Sequence, residues 1–396
     1  MFRKIAVGIS GGVDSAVAAY LLKNRGDETI AQNCNNFSLD LNVAQILGFN
    51  VIGAFMKNWD QVDEMGQCPG EADWEDAQWV CNKLSIPLVQ VNFVKEYWND
   101  VFSCFLKDYE SGITPNPDIL CNRYVKFDGF YDYAMKQLNV DAISTGHYAR
   151  SSFGPFLEHF SDATDVRLLT AVDPIKDQTF FLSQMPQLAL RRTMFPLGEL
   201  LKKDVKKIAA EAGMDRISRK KESTGICFVG KRNFKEFIRE YIEDRPGNFI
   251  DFDTGQILGC HKGLHYWTVG QRTRLAGSPR PIFVQSKDTS DNSIIVTEGT
   301  DHLALFTDIL YTSTPYWIVG NPLDNGMLRC QFRFRHGDEL VDCVVVQSGS
   351  NGLLVKLDQA LRAITPGQYA VFYKDGECLG SSRITNPGPS LYFCRN

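Results

Sequence analysis

The chain has 396 residues, 44% apolar and 22% charged, with 42 Lys and Arg against 47 Asp and Glu and a formal charge of -5. That is ordinary globular composition with chain enough for two or three domains, and it excludes a disordered or fibrous protein. The mild acidity does not by itself suggest nucleic acid, and no apolar run approaches the roughly 18 residues of a membrane span.

The first half alternates short apolar runs with helical patterns. Residues 5–9 read as a buried strand that runs straight into a glycine loop, so no signal peptide is expected. Residues 16–22 read as a helix, 51–55 as a second strand, and 75–84 as a helix carrying Trp79, Val80 and Leu84. Residues 88–93 read as a third strand and 142–144 as a fourth. Strands alternating with helices predict a parallel α/β sheet.

Residues 191–240 read as helical and basic, with 14 Lys or Arg against 7 Asp or Glu, so the rest of the chain sums to -12. Beyond about Gly247, turn pairs and short alternating segments predict an all-β half of two small barrels. Within it Leu328, Cys330, Phe332 and Phe334 alternate with Arg329, Gln331, Arg333 and Arg335. A strand here would bury the first set and present three arginines on the other face, either to solvent or to RNA.

The loop Ser10-Gly11-Gly12-Val13-Asp14-Ser15 follows a strand and opens a helix. Small residues let backbone N–H groups turn toward a phosphate, and the helix N-terminus adds positive potential. The loop lacks the lysine of the Walker pattern, and Gly8, Gly11 and Gly12 do not have dinucleotide spacing. The loop resembles the SGGxDS loop of enzymes that cleave ATP between its α- and β-phosphates, and that resemblance implies transfer of AMP to a substrate oxygen.

Eleven cysteines, an odd number with no CxxC, exclude complete internal pairing and point to a reducing compartment. Two have marked settings. Cys121 ends the run Thr114-Pro115-Asn116-Pro117-Asp118-Ile119-Leu120, where a helix starting near Asp118 would put both on one face. Cys227 is flanked by Lys220, Lys221, Lys231 and Arg232, and nearby cations raise thiolate content. The other cysteines read as small buried hydrophobes, with Cys34 set aside in the segment discussed below.

These motifs resemble the tRNA-specific 2-thiouridylase family over nearly the whole chain. The likeness includes residues 55–59, 96–98, 114–122, 145–148, 176–178, 223–228, 270–272 and 365–368; residues 177–182, 230–234 and 332–336 look like the eukaryotic mitochondrial branch. The resemblance implies an N-terminal PP-loop (HUP-type) domain over 1–225, a central PRC-barrel-like domain over 226–298 and a C-terminal tRNA-binding β-barrel over 299–396. It implies ATP binding by Gly8, Ile9, Ser10, Gly11, Gly12, Val13, Asp14, Ser15, Met56 and Gly146. Asn116, Pro117 and Asp118 would surround the target base, with Asp118 as acid/base. Cys227 would carry a persulfide and Cys121 would be the second catalytic thiol, the two forming a disulfide as sulfur is released. His147, Lys176, Asp177, Gln178, Arg335, His336 and Gln368 would contact tRNA. Mg²⁺ would come with ATP and no protein side chain would bind a metal. An upstream persulfide donor, mitochondrial tRNAs for Lys, Glu and Gln, and a mitochondrial location complete the expectation, with no membrane partner.

The match breaks at residues 27–48, an insertion between the first helix and second strand. A surface loop, an isoform feature and a retained intron translated in frame all fit it, and it is assigned no function. Two other classes compete: an ATP pyrophosphatase that ligates small molecules, and an inactive RNA-binding paralogue. The first needs no persulfide cysteine, and the second has no need of Ser10 to Ser15, Asp118, Cys121 and Cys227 together.

Overall fold

The computed structural model describes residues 2–25, 48–59, 69–220, 228–229, 232–275, 280–349 and 351–394. Cys227, Cys34, Cys68 and residues 27–47 of the inserted segment lie outside the described residues. The chain divides into two compact units: residues 1–100, 119–224 and 376–378, and residues 101–118, 225–375 and 379–396.

The first unit is built on a five-stranded parallel sheet. Its order is Leu88–Asn92, Asn50–Lys57, Lys4–Gly8, Ala142–Ser144, Thr193–Met194. The chain therefore steps outward from the central strand Lys4–Gly8 to one edge, then returns to that strand's other side. Parallel strands are covered on both faces, so they read as continuous apolar runs; Ile5, Ala6 and Val7 have no solvent exposure. Helix Val13–Lys23 follows the central strand and buries Val13, Ala16, Val17, Ala18, Ala19, Leu21 and Leu22. Its alanines keep it close to its neighbours, which a larger side chain would prevent. A two-stranded hairpin, Arg150–Ser151 with Leu168–Leu169, adds Glu377–Cys378 as a third antiparallel partner.

One helical run carries the first marked cysteine. It comprises Pro117–Leu120, Cys121–Phe130 and Tyr131–Lys136, the middle stretch wound in wide π-type turns. Proline suits the first helical position because its missing N–H would have no partner there. Wide turns of this kind are rare and concentrate at functional sites.

In the second unit, strands Gly247–Asp251, Ile257–His261, Ile282–Asp288 and Ser293–Glu298 form one sheet over Phe249, Leu264, Ile282, Val284, Ile294 and Val296. A second set closes on itself. Its order is Phe306–Thr312, Gly352–Arg362, Val341–Ser348, Met327–Arg333, Tyr369–Lys374, Glu377–Pro387, and the last strand pairs back onto the first. This barrel fills with Leu328, Cys330, Phe332, Cys343, Val345, Val355, Phe372 and Ile384. Phe102, Phe105, Phe228 and Phe237 form a separate aromatic cluster, ring centroids 5.0–6.1 Å apart.

Two expectations need correction. The arginines of the Leu328 to Arg335 segment are not presented together to solvent. Arg329 is exposed and paired with Asp358 at 2.7 Å. Arg333 is buried, donating from Nε and Nη2 to the Tyr373 hydroxyl at 3.2 and 3.0 Å. Arg335 lies beyond the strand's end, stacked 4.5 Å over Phe334 and donating to the Ala363 carbonyl at 3.0 Å. The alternation itself holds, with Leu328, Cys330, Phe332 and Phe334 buried, but Tyr373, opposite Gln331 on the next strand, covers Arg333. The remaining cysteines also divide: Cys81, Cys330, Cys343 and Cys378 are buried, but Cys104, Cys260 and Cys394 are exposed.

Phe332 is fully buried in the barrel core, so Phe332→Ala should destabilise the second unit by about 3–5 kcal/mol, read from the urea midpoint.

Candidate functional site

In an open parallel sheet, ligands bind beyond the carboxyl ends of the strands where strand order reverses. Here that point lies between the ends of Lys4–Gly8 and Ala142–Ser144. The segments leaving those two ends are the glycine loop and Thr145-Gly146-His147.

The loop's shape is set by three close approaches. Gly11 adopts φ +71°, and a Cβ there would lie 2.5 Å from the Asp73 carbonyl oxygen. A Cβ on Gly146 would lie 2.6 Å from Ser15 N. One on Gly8 would lie 3.2 Å from Met56 Cε. Inside the loop, the Ser15 hydroxyl accepts from Ser10 N and donates to the Gly12 carbonyl, both at 3.1 Å. Gly12 provides no side-chain cap for the helix behind it. The first-turn N–H groups of a helix have no acceptor within it, so this end is suited to an anion. Gly8 to Ser15, Met56 and Gly146 thus come together in the first unit.

Asp14 brings a negative charge to that end. Lys202 Nζ meets both its carboxylate oxygens, at 2.7 and 2.8 Å, and the Tyr148 hydroxyl donates to it at 3.0 Å. Lys202 is buried at the first position of helix Lys202–Glu211, its backbone N–H held by Asp173 at 2.9 Å. A second network braces the loop from Asp73. Lys220 Nζ donates to Asp73 at 2.7 Å and Asp76 at 2.8 Å, and Arg216 meets Asp76 at 2.6 Å. Burial opposes the Lys220 charge, but these carboxylates outweigh it and hold its pKa above the usual lysine value.

His147 follows Gly146. Its Nδ1 lies 2.8 Å from Thr145 Oγ1 and its Nε2 3.4 Å from Lys126 Nζ. An ammonium only donates, so Nε2 accepts and the proton sits on Nδ1. Burial, with the Lys126 charge second, holds the imidazole pKa well below its ordinary value. Asp177 is buried and accepts from Ala171 N and the Thr179 hydroxyl, at 3.1 and 3.0 Å. Gln178 accepts from Tyr148 N at 2.9 Å, and Lys176 N donates to Asp173 at 3.2 Å. Cys121 is buried.

In the second unit, the Gln368 side chain contacts residues 114–116, with Asn116 Nδ2 donating to Gln368 Oε1 at 3.3 Å. Pro117 is buried and Asp118, at the second position of its helix, is exposed. Arg335 and His336 are exposed. Lys202, Tyr148 and the Asp73, Asp76 and Lys220 network are absent from the sequence-based site set. Lys202 was hidden in a segment legible only as basic and Lys220 was legible only as a cation near Cys227, since their partners are 188 and 147 residues away.

The tRNA methyl transferase HUP domain family matches residues 3–46 and 36–231, the PRC-barrel domain of that group 235–298, and the aminomethyltransferase β-barrel domain 307–384. The two HUP stretches overlap at 36–46, within the segment read as an insertion. The mitochondrial tRNA-specific 2-thiouridylase 1 of Drosophila melanogaster is 51% identical, covering 98% of this chain and 95% of that protein. The human protein of that name is 47% identical, covering 98% and 92%. A bacterial tRNA-specific 2-thiouridylase from Alkaliphilus oremlandii is 44% identical, covering 96% of each.

The His147 environment has a pH consequence. Folding disfavours the protonated ring, so stability is full above the unfolded histidine pKa of about 6.5 and is lost as pH falls below it. Chemical unfolding at pH 7.5 and 5.5 should show a drop in midpoint that shrinks in His147→Gln. Burial lowers the pKa of His261 and His265 too, so part of the drop should persist.

Proposed function

The chain belongs to the tRNA-specific 2-thiouridylase family, and from that premise we propose how its residues divide the reaction. The enzyme is a tRNA sulfurtransferase that uses ATP. Above all, the assignment is supported by the Ser10 to Ser15 loop at the sheet's reversal point, with Gly146 close-packed on Ser15 N.

Gly8 to Ser15 grip the phosphates of ATP, with Met56 and Gly146 beside the nucleotide. The uridine O2 attacks the α-phosphorus, pyrophosphate leaves, and the carbonyl oxygen becomes part of AMP, a far better leaving group. The domain models that match this chain are described in terms of methyl transfer. A methyl donor has no need of a pyrophosphate loop, whereas transfer of AMP does. Lys202 offsets the Asp14 carboxylate, which would otherwise repel the incoming phosphates.

Mg²⁺ bound together with ATP would offset the charge of the phosphates. Among the described residues no group of three or more His, Cys, Asp or Glu could hold a metal. Asp14, a third exposed beside the loop, has both carboxylate oxygens held by Lys202.

Asn116, Pro117 and Asp118 surround the target base, and Asp118 serves as acid/base. The terminal sulfur of a Cys227 persulfide attacks C2 and AMP departs. Cys121 thiolate then attacks Cys227 Sγ, which releases the thiolated base and leaves a disulfide. A two-electron reductant reopens it, and an upstream donor reloads Cys227. The exposed Arg335 and His336 face tRNA. The substrates are mitochondrial tRNAs for Lys, Glu and Gln, the wobble uridine is the target, and the site of action is the mitochondrion. The domains follow as a catalytic region over 1–225, a central region over 226–298 and a barrel over 299–396.

Thiolation of undermodified mitochondrial tRNA, with ATP, a persulfide sulfur donor and a thiol reductant but no free sulfide, tests the scheme. Cys227→Ser should abolish thiolation yet keep tRNA-dependent pyrophosphate release; normal thiolation by this variant would overturn the mechanism. Lys202→Met should raise the KM for ATP about tenfold, equivalent to about 1.4 kcal/mol, with the KM for tRNA unchanged.

A further inference from the structure

We infer that Gln368 is a positioning residue for the turn leading into Asp118, rather than a group that reads tRNA. The inference rests on the role proposed above for Asp118.

The segment Thr114-Pro115-Asn116-Pro117 has two prolines, so two of its four residues bring no N–H. It is poorly equipped to satisfy its own carbonyls, and Thr114 and Pro115 are buried. Gln368 supplies what is missing. Its Nε2 donates to the Thr114 and Pro115 carbonyls, each at 3.0 Å. Its Oε1 accepts from Asn116 Nδ2 at 3.3 Å. An amide NH₂ has two protons, so both are used here. Two carbonyl acceptors also fix which way the amide faces, and Asn116 is oriented in turn.

The barrel brings this amide into place by a tight turn. Gly367 has φ +92°, and a Cβ there would lie 2.3 Å from Ile113 Cγ2 and 2.7 Å from the Thr114 oxygen. Thr114 N donates to the Pro366 carbonyl at 3.3 Å. The turn is tied to the neighbouring strand Glu377–Pro387: Gly367 N donates to Ile384 O at 2.9 Å, and Ile384 N to Gln368 O at 2.8 Å. Residues 366–368 therefore clamp residues 113–116, and the next residues are Pro117 and Asp118 at the start of the helix. A side chain with both amide protons and its oxygen engaged in this way acts through Asp118 rather than on the substrate.

Gln368→Glu tests this, because it keeps the shape but cannot donate to two carbonyls; Gln368→Ala and Gly367→Ala remove the clamp by other routes. Each should lower kcat for thiolation about 10- to 100-fold, as small misplacements of reacting groups do, with the KM for tRNA within about twofold. Hydrogen exchange in a peptide spanning 110–120 should quicken in each variant while the global unfolding midpoint stays close to wild type. A raised tRNA KM at unchanged kcat would overturn the inference in favour of direct contact, as would unchanged exchange over 110–120. Should the wild-type chain fail to thiolate tRNA, the functional reading falls while the exchange rates still decide the clamp.

Discussion

Everything at the nucleotide loop depends on how closely two backbones approach. The turn after Ala142–Ser144 comes so near the start of helix Val13–Lys23 that a Cβ on Gly146 would lie 2.6 Å from Ser15 N. That proximity exists because the two strands are neighbours in the sheet although 134 residues separate Gly8 from Ala142 in the chain. Once the backbones meet, Tyr148 reaches Asp14, and the Thr145 hydroxyl meets Nδ1 of His147. A larger residue at 146 would spread the two segments and undo several contacts together.

Charge is arranged around the same point in an economical way. The basic stretch 191–240 suggests a cationic platform, yet several of its cations are committed within the protein. Lys202 neutralises Asp14, Lys220 and Arg216 neutralise Asp73 and Asp76, and Arg191 meets Asp165 at 3.7 Å. Much of the segregation along the sequence is thus bookkeeping for folding. The acidic partners lie early in the chain and the basic ones later, and tertiary structure brings them together.

This explains what was legible in the sequence. The parallel sheet and the loop were, because a buried strand, a glycine turn and a helix are local patterns. The ends of elements moved by a few residues: the helix read over 16–22 runs Val13–Lys23, and the strand read over 51–55 runs Asn50–Lys57. Lys202 was not legible as a partner of Asp14, since nothing in its neighbourhood distinguishes it from Lys203. Arg333 was misplaced because alternation reports one strand's two faces and says nothing about a tyrosine from the next strand. Cys104, Cys260 and Cys394 were read as core because cysteine is usually buried, a statistical expectation with no local signal behind it. Gln368 stood out only through the resemblance, which attached it to tRNA; its contact with residues 114–116 needed coordinates.

The division of the chain has a consequence for how it is made. Neither unit is a continuous stretch: residues 101–118 belong with the second, while 376–378 return to the first and give its small antiparallel hairpin a third strand. A ribosome adding roughly 5–20 residues per second therefore delivers the last piece of the N-terminal fold only near the end of translation. Until then residues 150–151 and 168–169 present an unpaired strand edge, and residues 101–118 wait for partners beyond position 225. Such edges and waiting segments invite wrong pairings, so this chain should lean on chaperones during synthesis more than two sequential domains of the same size would.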